Sequence, residues 1–304
     1  KPNLWMFDQK SINPGMSGMS GNEADNAQGI GLMRTPNGNN IVLVGSDGGG
    51  NGWIAIQDGG PGGDVQAYQY INGMEADGVA VVLNDVNNNG TYDNGENWTA
   101  YVSEGQDNSN DGVAMKAFTI GMGPYSITDT NQDSEVWLWQ NSGYKALAGH
   151  PDSSGSNIKL FGVEQDNYGE NNYLDTIEYS FWNVANSEQT SYTYDLNCGD
   201  CNNQNYSAIV GMDTIIEEQD GEDVTVLYYM DEDGWLAVAN VQEGPEQLSG
   251  TGVLGRPTFV TQDTSDKSIY IGQEGIGSGN GIVKYEFDAN TNRWNAAGIW
   301  GAGV

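Results

Sequence analysis

Residues 30–70 read IGLMRTPNGNNIVLVGSDGGGNGWIAIQDGGPGGDVQAYQY, and four short apolar or aromatic runs stand in them: Ile30 to Arg34, Ile41 to Val44, Trp53 to Ile56 and Val65 to Tyr70. Each run ends in a cluster of Gly, Asn, Asp, Ser or Pro. β-Branched and aromatic side chains suit a pleated surface and the cluster residues suit tight turns, so the pattern predicts four consecutive strands joined by short links. The link Gly48 to Gly52 holds no Lys and leads into a strand rather than a helix, so it does not cradle phosphate.

The same order returns at the other end of the chain, with runs Pro257 to Val260, Ser268 to Ile271, Ile282 to Phe287 and Trp294 to Ile299. Between them, units are expected to start near Val79, Tyr125, Ile158 and Ala208, and no amphipathic helix is apparent. Aspartates expected to open the link between first and second strands, Asp85, Asp129, Asp166, Asp213 and Asp263, recur roughly every 40 to 50 residues. Four short strands at that period are the signature of β-propeller blades. The expected fold is all-β, a single β-propeller domain over residues 1–304 with six four-stranded blades, in which residues 4–7 add a strand that closes the last blade. A β-sandwich or a two-domain β protein is the alternative.

Charge narrows the partners. The 304 residues carry 42 acidic and 10 basic side chains, a net charge of −32. Such a chain neutralises few phosphates, which excludes nucleic acid and anionic membrane surfaces and leaves cations and neutral ligands. Apolar residues (37%) and 44 Gly keep it in the range of folded domains rather than acidic tails. No run of about 18 apolar residues predicts membrane insertion. The opening Lys1-Pro2-Asn3 and near-absence of Lys lead to the expectation of a processed chain, secreted or on the extracellular surface. Cys198 and Cys201 are the only cysteines and are read as a small-loop disulfide, since neither a redox pair's helix nor a zinc site's four ligands accompany them.

The sharpest motif is Asp85-Val86-Asn87-Asn88-Asn89-Gly90-Thr91-Tyr92-Asp93-Asn94-Gly95-Glu96. Acid or amide oxygens stand at positions 1, 3 and 5, Gly at 6 and Glu at 12, which is the spacing of a Ca2+ loop. It resembles the calcium loop of EF-hand proteins and loops of secreted bacterial surface proteins over these twelve residues. The resemblance implies that Asp85, Asn87, Asn89, the main chain of Thr91, Asp93 and Glu96 surround the ion. The flanks Val79 to Leu83 and Trp98 to Tyr101 read as strands, so a helix-opening sensor mechanism is not implied. Asp129, Asn131, Asp133 and Glu135 form a shorter candidate, and Asp263 with Asp266 a weaker one.

No nucleophile signature accompanies the single His150, which reads as a loop residue. Arg34, in Leu32 to Gly38, resembles the Arg-x-Pro segment of six-bladed sialidases. Ser46 to Trp53 departs from their Asp box by placing Gly where the aspartate belongs, so sialidase activity is not expected. Nine Trp and 16 Tyr against six Phe suit sugar faces and wet interfaces. Trp53, Trp98, Trp235 and Trp294 are expected at equivalent blade positions as packing residues. Tyr68, Tyr70, Tyr168 and Tyr173 are expected at the surface as ligand contacts. The expected function is a calcium-stabilised binding or adhesion protein whose partner is a glycan or an extracellular protein surface. A self-assembling subunit of a surface layer or filament and a polysaccharide hydrolase or lyase are the alternatives.

Overall fold

In the computed structural model the described residues comprise twenty strands between Ala27 and Trp300 and, among their connections, residues 50–51, 72–77, 84–87, 89, 91–97, 104, 123–124 and 290; side chains are described mainly between residues 29 and 162. The strands form five four-stranded antiparallel sheets, each of consecutive strands. The first holds β1 (Ala27–Thr35), β2 (Gly38–Ser46), β3 (Gly52–Asp58) and β4 (Val65–Ile71), and the second β5 (Gly78–Leu83), β6 (Trp98–Ser103), β7 (Val113–Met122) and β8 (Tyr125–Val136). The third holds β9 (Gly143–Pro151), β10 (Asn157–Gln165), β11 (Asn172–Ser180) and β12 (Asn183–Asp195). The fourth holds β13 (Ile209–Gln219), β14 (Glu222–Asp231), β15 (Trp235–Asn240) and β16 (Gly244–Gly250). The fifth holds β17 (Arg256–Asp263), β18 (Ser268–Ile276), β19 (Gly279–Asp288) and β20 (Arg293–Trp300).

The first strands run beside one another in the order β1, β5, β9, β13, β17 and back to β1, which closes a ring of sheets: a β-propeller. Each of the four runs in residues 30–70 falls inside its expected strand, and so do the four runs of the last unit. The described residues form five sheets where the sequence repeat counts six units. The units expected to start at Tyr125 and Ile158 are corrected: Tyr125 opens β8, the outer strand of the second sheet, and Ile158 lies in β10, the second strand of the third. The fifth sheet draws all four strands from residues 256–300, and the expected closing strand at 4–7 lies outside the described residues.

Side chains alternate between the two faces of a strand, and here both faces are covered. One face of the second sheet (Val102, Ala100, Phe118, Ile120) packs on Val42, Val44, Ile54 and Ile56 of the first. The other face (Ala80, Val82, Tyr101, Met115) packs on Tyr144, Leu147, Ile158 and Leu160 of the third. All six residues of β6 are buried as a result, so it reads in sequence as a continuous run rather than an alternation. Burial of each large apolar side chain stabilises the fold by about 1.5–3 kcal/mol before chain entropy is set against it.

Inner strands approach too closely for a side chain at some points. A Cβ on Gly29 of β1 would lie 2.6 Å from the main-chain oxygen of Asp77, at the start of β5. Polar links join neighbouring sheets: Ser103 Oγ donates to the Tyr144 carbonyl at 2.8 Å, and the Tyr144 N–H donates to the Glu104 carbonyl at 3.1 Å. Between the first and second sheets, the Tyr125 hydroxyl donates to Asn40 Oδ1 at 3.1 Å.

Candidate functional site

The motif at residues 85–96 forms the link between β5 and β6, the first and second strands of the second sheet, as the repeat predicts. Its base is closed where the Asn84 N–H donates to the Asn97 carbonyl at 2.9 Å and the Asn84 amide donates to Thr99 Oγ1 at 3.2 Å. Within it, Asn87 and Asn89 each fold onto the chain two residues on. The Asn89 N–H donates to Asn87 Oδ1 at 3.1 Å, and the N–H and hydroxyl of Thr91 both donate to Asn89 Oδ1 at 2.8 Å. These short-range bonds are what Asn offers a turn, and they explain why the segment leaves the strand ladder.

Two carboxylates organise the rest. Asp93 is exposed, and its Oδ2 accepts the side-chain amides of Asn87 and Asn89, the latter at 2.8 Å. Glu96 is buried, 7% exposed. Its Oε1 accepts the Val86 N–H at 2.9 Å and its Oε2 the Asp93 N–H at 2.8 Å, while the Glu96 N–H donates to the Asp93 carbonyl at 3.1 Å. Asp85 is half-buried at the loop's start. Among the described residues of the loop the positive-φ position is Gly95, at φ +104°, and Gly90, the motif's sixth residue, lies outside the described residues. The loop rests on the first core through Tyr92 and Trp98.

The donor set fits a hard cation in kind, being all oxygen, and from Asn84 to Asn97 the loop carries three acids and no base. Its arrangement is less convergent than the motif implies: among the described residues no three of His, Cys, Asp and Glu gather as a group. The nitrogens of Asn87 and Asn89, rather than their oxygens, face Asp93.

The expected place of the second candidate is corrected. Asp129, Asn131, Asp133 and Glu135 lie within β8, not in a link between first and second strands. Lys116 pairs with Asp133 and Phe118 with Asp129, so residues 130–132 bulge from the ladder. Asn131 there has φ +54° and donates its N–H to Asp129 Oδ1 at 2.7 Å, while the Thr130 hydroxyl reaches the Ala117 carbonyl at 2.7 Å. Of the other aspartates expected to open such links, Asp213 lies inside β13, and Asp263 ends β17, the first strand of the fifth sheet, as expected; Asp166 and Asp266 fall outside the described residues.

Tyr68 and Tyr70 stand two apart on β4, the outermost strand of the first sheet, and share a face. Both are half-buried, with ring centroids 5.3 Å apart and planes at 82°. Trp53 pairs with Tyr70 across the ladder and is fully buried. The adjacent end of this sheet is polar: the Gly50 N–H donates to Glu75 Oε1 at 3.2 Å and the Gly73 N–H to Asn51 Oδ1 at 3.0 Å. Sequence reading missed Asn51 and Glu75, because they belong to different links that the pairing of β3 with β4 brings to one end of the sheet. A polar residue at each boundary of that hairpin is the signal that could have pointed to them.

Tyr173 lies in β11, while Tyr168, Cys198 and Cys201 lie outside the described residues. The four tryptophans do not share one blade position: Trp53 and Trp235 lie on third strands, Trp98 opens a second strand and Trp294 lies on a fourth. Trp53 and Trp98 are buried, as packing residues should be. His150 is in β9 rather than a loop, paired with Lys159, its ring 5.8 Å from Phe161.

No protein-family model and no curated protein matches the chain. Among solved structures it is similar to a fungal lectin from Aleuria aurantia described as a six-bladed β-propeller with a fucose recognition mode, at TM-score 0.50 and 10% identity over 92% of this chain and 80% of that one. It is similar to a mutant of that lectin in complex with α-methyl-L-fucoside, at TM-score 0.50 and 9% identity over 90% of this chain and 78% of that one. The same mutant lectin in complex with Fucα1-6GlcNAc gives TM-score 0.50 and 8% identity over 90% and 79%. At such identities the likeness establishes the fold, a β-propeller.

Proposed function

We propose that this chain is an extracellular glycan-binding β-propeller whose β5–β6 loop holds a structural Ca2+. The observation that carries the glycan reading is the Tyr68–Tyr70 pair, two half-buried rings set edge-to-face on an outermost strand. An aromatic face suits the C–H face of a sugar, and Asn51 and Glu75 supply hydrogen-bonding groups at the neighbouring end of the same sheet. The net charge of −32 favours a neutral ligand over a phosphorylated or sulfated one. That lectins of this fold bind fucosides gives the reading a first probe.

Isothermal titration with α-methyl-L-fucoside and then a panel of neutral glycans tests it. Saturable binding that weakens at least 10-fold in Tyr68→Ala or Tyr70→Ala, with an unchanged melting temperature, supports the reading. No binding to any glycan, or binding that both variants retain in full, sinks it. Release of new reducing ends during the titration would move the chain to the hydrolases.

For the ion, Asp85, Asn87, Asn89, Asp93 and the main chain of Thr91 would supply oxygens, with Glu96 at the motif's twelfth position. Bound Ca2+ would offset like-charge repulsion in the loop and stabilise the folded state alone.

A further inference from the structure

Glu96 occupies the position at which a calcium loop places a bidentate glutamate, yet its two oxygens are already engaged elsewhere. Oε1 accepts the Val86 N–H and Oε2 the Asp93 N–H, at 2.9 and 2.8 Å, from a side chain only 7% exposed. Its own N–H returns to the Asp93 carbonyl at 3.1 Å, so Asp93 is held to Glu96 twice, once through each residue's N–H. Gly95 between them takes φ +104°, a conformation that lets the chain double back over that short span. Val86 and Asp93 bracket the stretch from Asn87 to Tyr92, so one carboxylate fastens both ends of the segment that carries the Asn oxygens. The fastening needs no ion.

We propose that Glu96 is the loop's positioning residue and not a ligand: it fixes the main chain at Val86 and Asp93, and through them the oxygens of Asn87, Asn89 and Asp93. The affinity part of this inference rests on the calcium reading, and the fastening itself does not. A hydrogen-bonding partner behind metal ligands changes affinity by about 10- to 100-fold when removed, and leaves the ligand count as it was.

The test uses the full chain as wild type, Glu96→Gln and Glu96→Ala, with Asp93→Asn for comparison. In chelator, amide exchange at Val86 and Asp93 is followed by mass spectrometry or NMR. At least one of the two amides is expected to lose roughly 10-fold protection in Glu96→Gln, which keeps the shape but only one acceptor oxygen, and both in Glu96→Ala. Terbium(III) then replaces calcium, with emission sensitised through Tyr92 and Trp98, and luminescence lifetimes in light and heavy water count the bound waters. Affinity is expected to fall about 10-fold or more in Glu96→Gln with the water count unchanged. A gain of one or two waters in that variant makes Glu96 a ligand and overturns the proposal, as does full protection of both amides without it. If wild type binds no terbium, the calcium reading fails, and the exchange result alone decides the role of Glu96. An unfolded Glu96→Ala leaves the isosteric Gln variant to decide.

Discussion

The β5–β6 link and the middle of β8 share a pattern of Asp and Asn and have opposite fates. Residues 85–96 and 129–135 both string Asp and Asn at alternate positions. The first is a closed loop pinned at its base by Asn84 and Asn97 and inside by a buried carboxylate. The second stays in the ladder: Phe118 and Lys116 hold Asp129 and Asp133 in register, and only residues 130–132 swell out. In both, an Asx side chain accepts the N–H two residues on, so that local bond does not separate them. What separates them is Glu96, placed to take main-chain donors from both ends of its segment. On an outer strand, a bulge also blunts the exposed edge against pairing with another chain.

The largest effect that would sharpen this contrast is loss of the buried carboxylate. Glu96→Ala leaves two main-chain donors without their charged acceptor, and is expected to lower stability by about 3 kcal/mol, since hydrogen bonds to charged groups contribute roughly 1.5–3 kcal/mol each. Asp129→Ala removes one bond at an exposed bulge and is expected to stay within about 1 kcal/mol. Urea unfolding in chelator measures both. Equal losses would mean that the two segments are held alike.

Next comes the ion. Asp85→Ala is expected to remove the calcium-dependent part of stability, about 2.7 kcal/mol at 100 times the dissociation constant, and to change little in chelator. Asp133→Ala is expected to leave the calcium response intact, because β8 keeps its aspartates spread along a strand. Melts of both variants with calcium and with chelator test this. A calcium response that survives Asp85→Ala but not Asp133→Ala would exchange the roles of the two segments.

The same contrast explains what was legible in the sequence. The first and last sheets could be read because Ile41 to Val44 is a continuous apolar run and Val283 to Phe287 alternates apolar or aromatic with charged residues, each bounded by turn residues, and local chemistry there agrees with the fold. The unit boundary at Tyr125 could not, because Asp129 to Asp133 has turn composition and the pairing that keeps it in a strand comes from Lys116 and Phe118, on the neighbouring strand. Asp213 misleads in the same way, for Tyr228 pairs with it across the ladder of β13 and β14. At the candidate site, spacing gave the loop but not the burial of Glu96, which depends on how the loop seats against the sheet. Tyr68 and Tyr70 were legible as aromatics of one expected strand, Val65 to Tyr70, whereas Asn51 and Glu75 needed the register of β3 with β4.

Two backbone positions give the smaller tests. Gly95 has φ +104°, and a Cβ there would meet nothing within 4 Å, so any loss on Gly95→Ala is conformational rather than steric crowding. That loss is expected at about 1–2 kcal/mol, read by urea unfolding, and a neutral result would show that the Asp93–Glu96 turn does not need its left-handed residue. Asn131, at φ +54°, stands in the one left-handed region that Asn enters readily, so its backbone holds little strain to release. Asn131→Gly relieves that little strain, while the added freedom of Gly in the unfolded chain offsets it. The main-chain bond to Asp129 Oδ1 survives the change, because the donor is the residue's own N–H. The net change is expected within about 0.5 kcal/mol, by the same unfolding measurement. A loss above about 1.5 kcal/mol would mean that the Asn131 side chain holds the bulge together as Glu96 holds the loop, and the distinction between the two segments would fall.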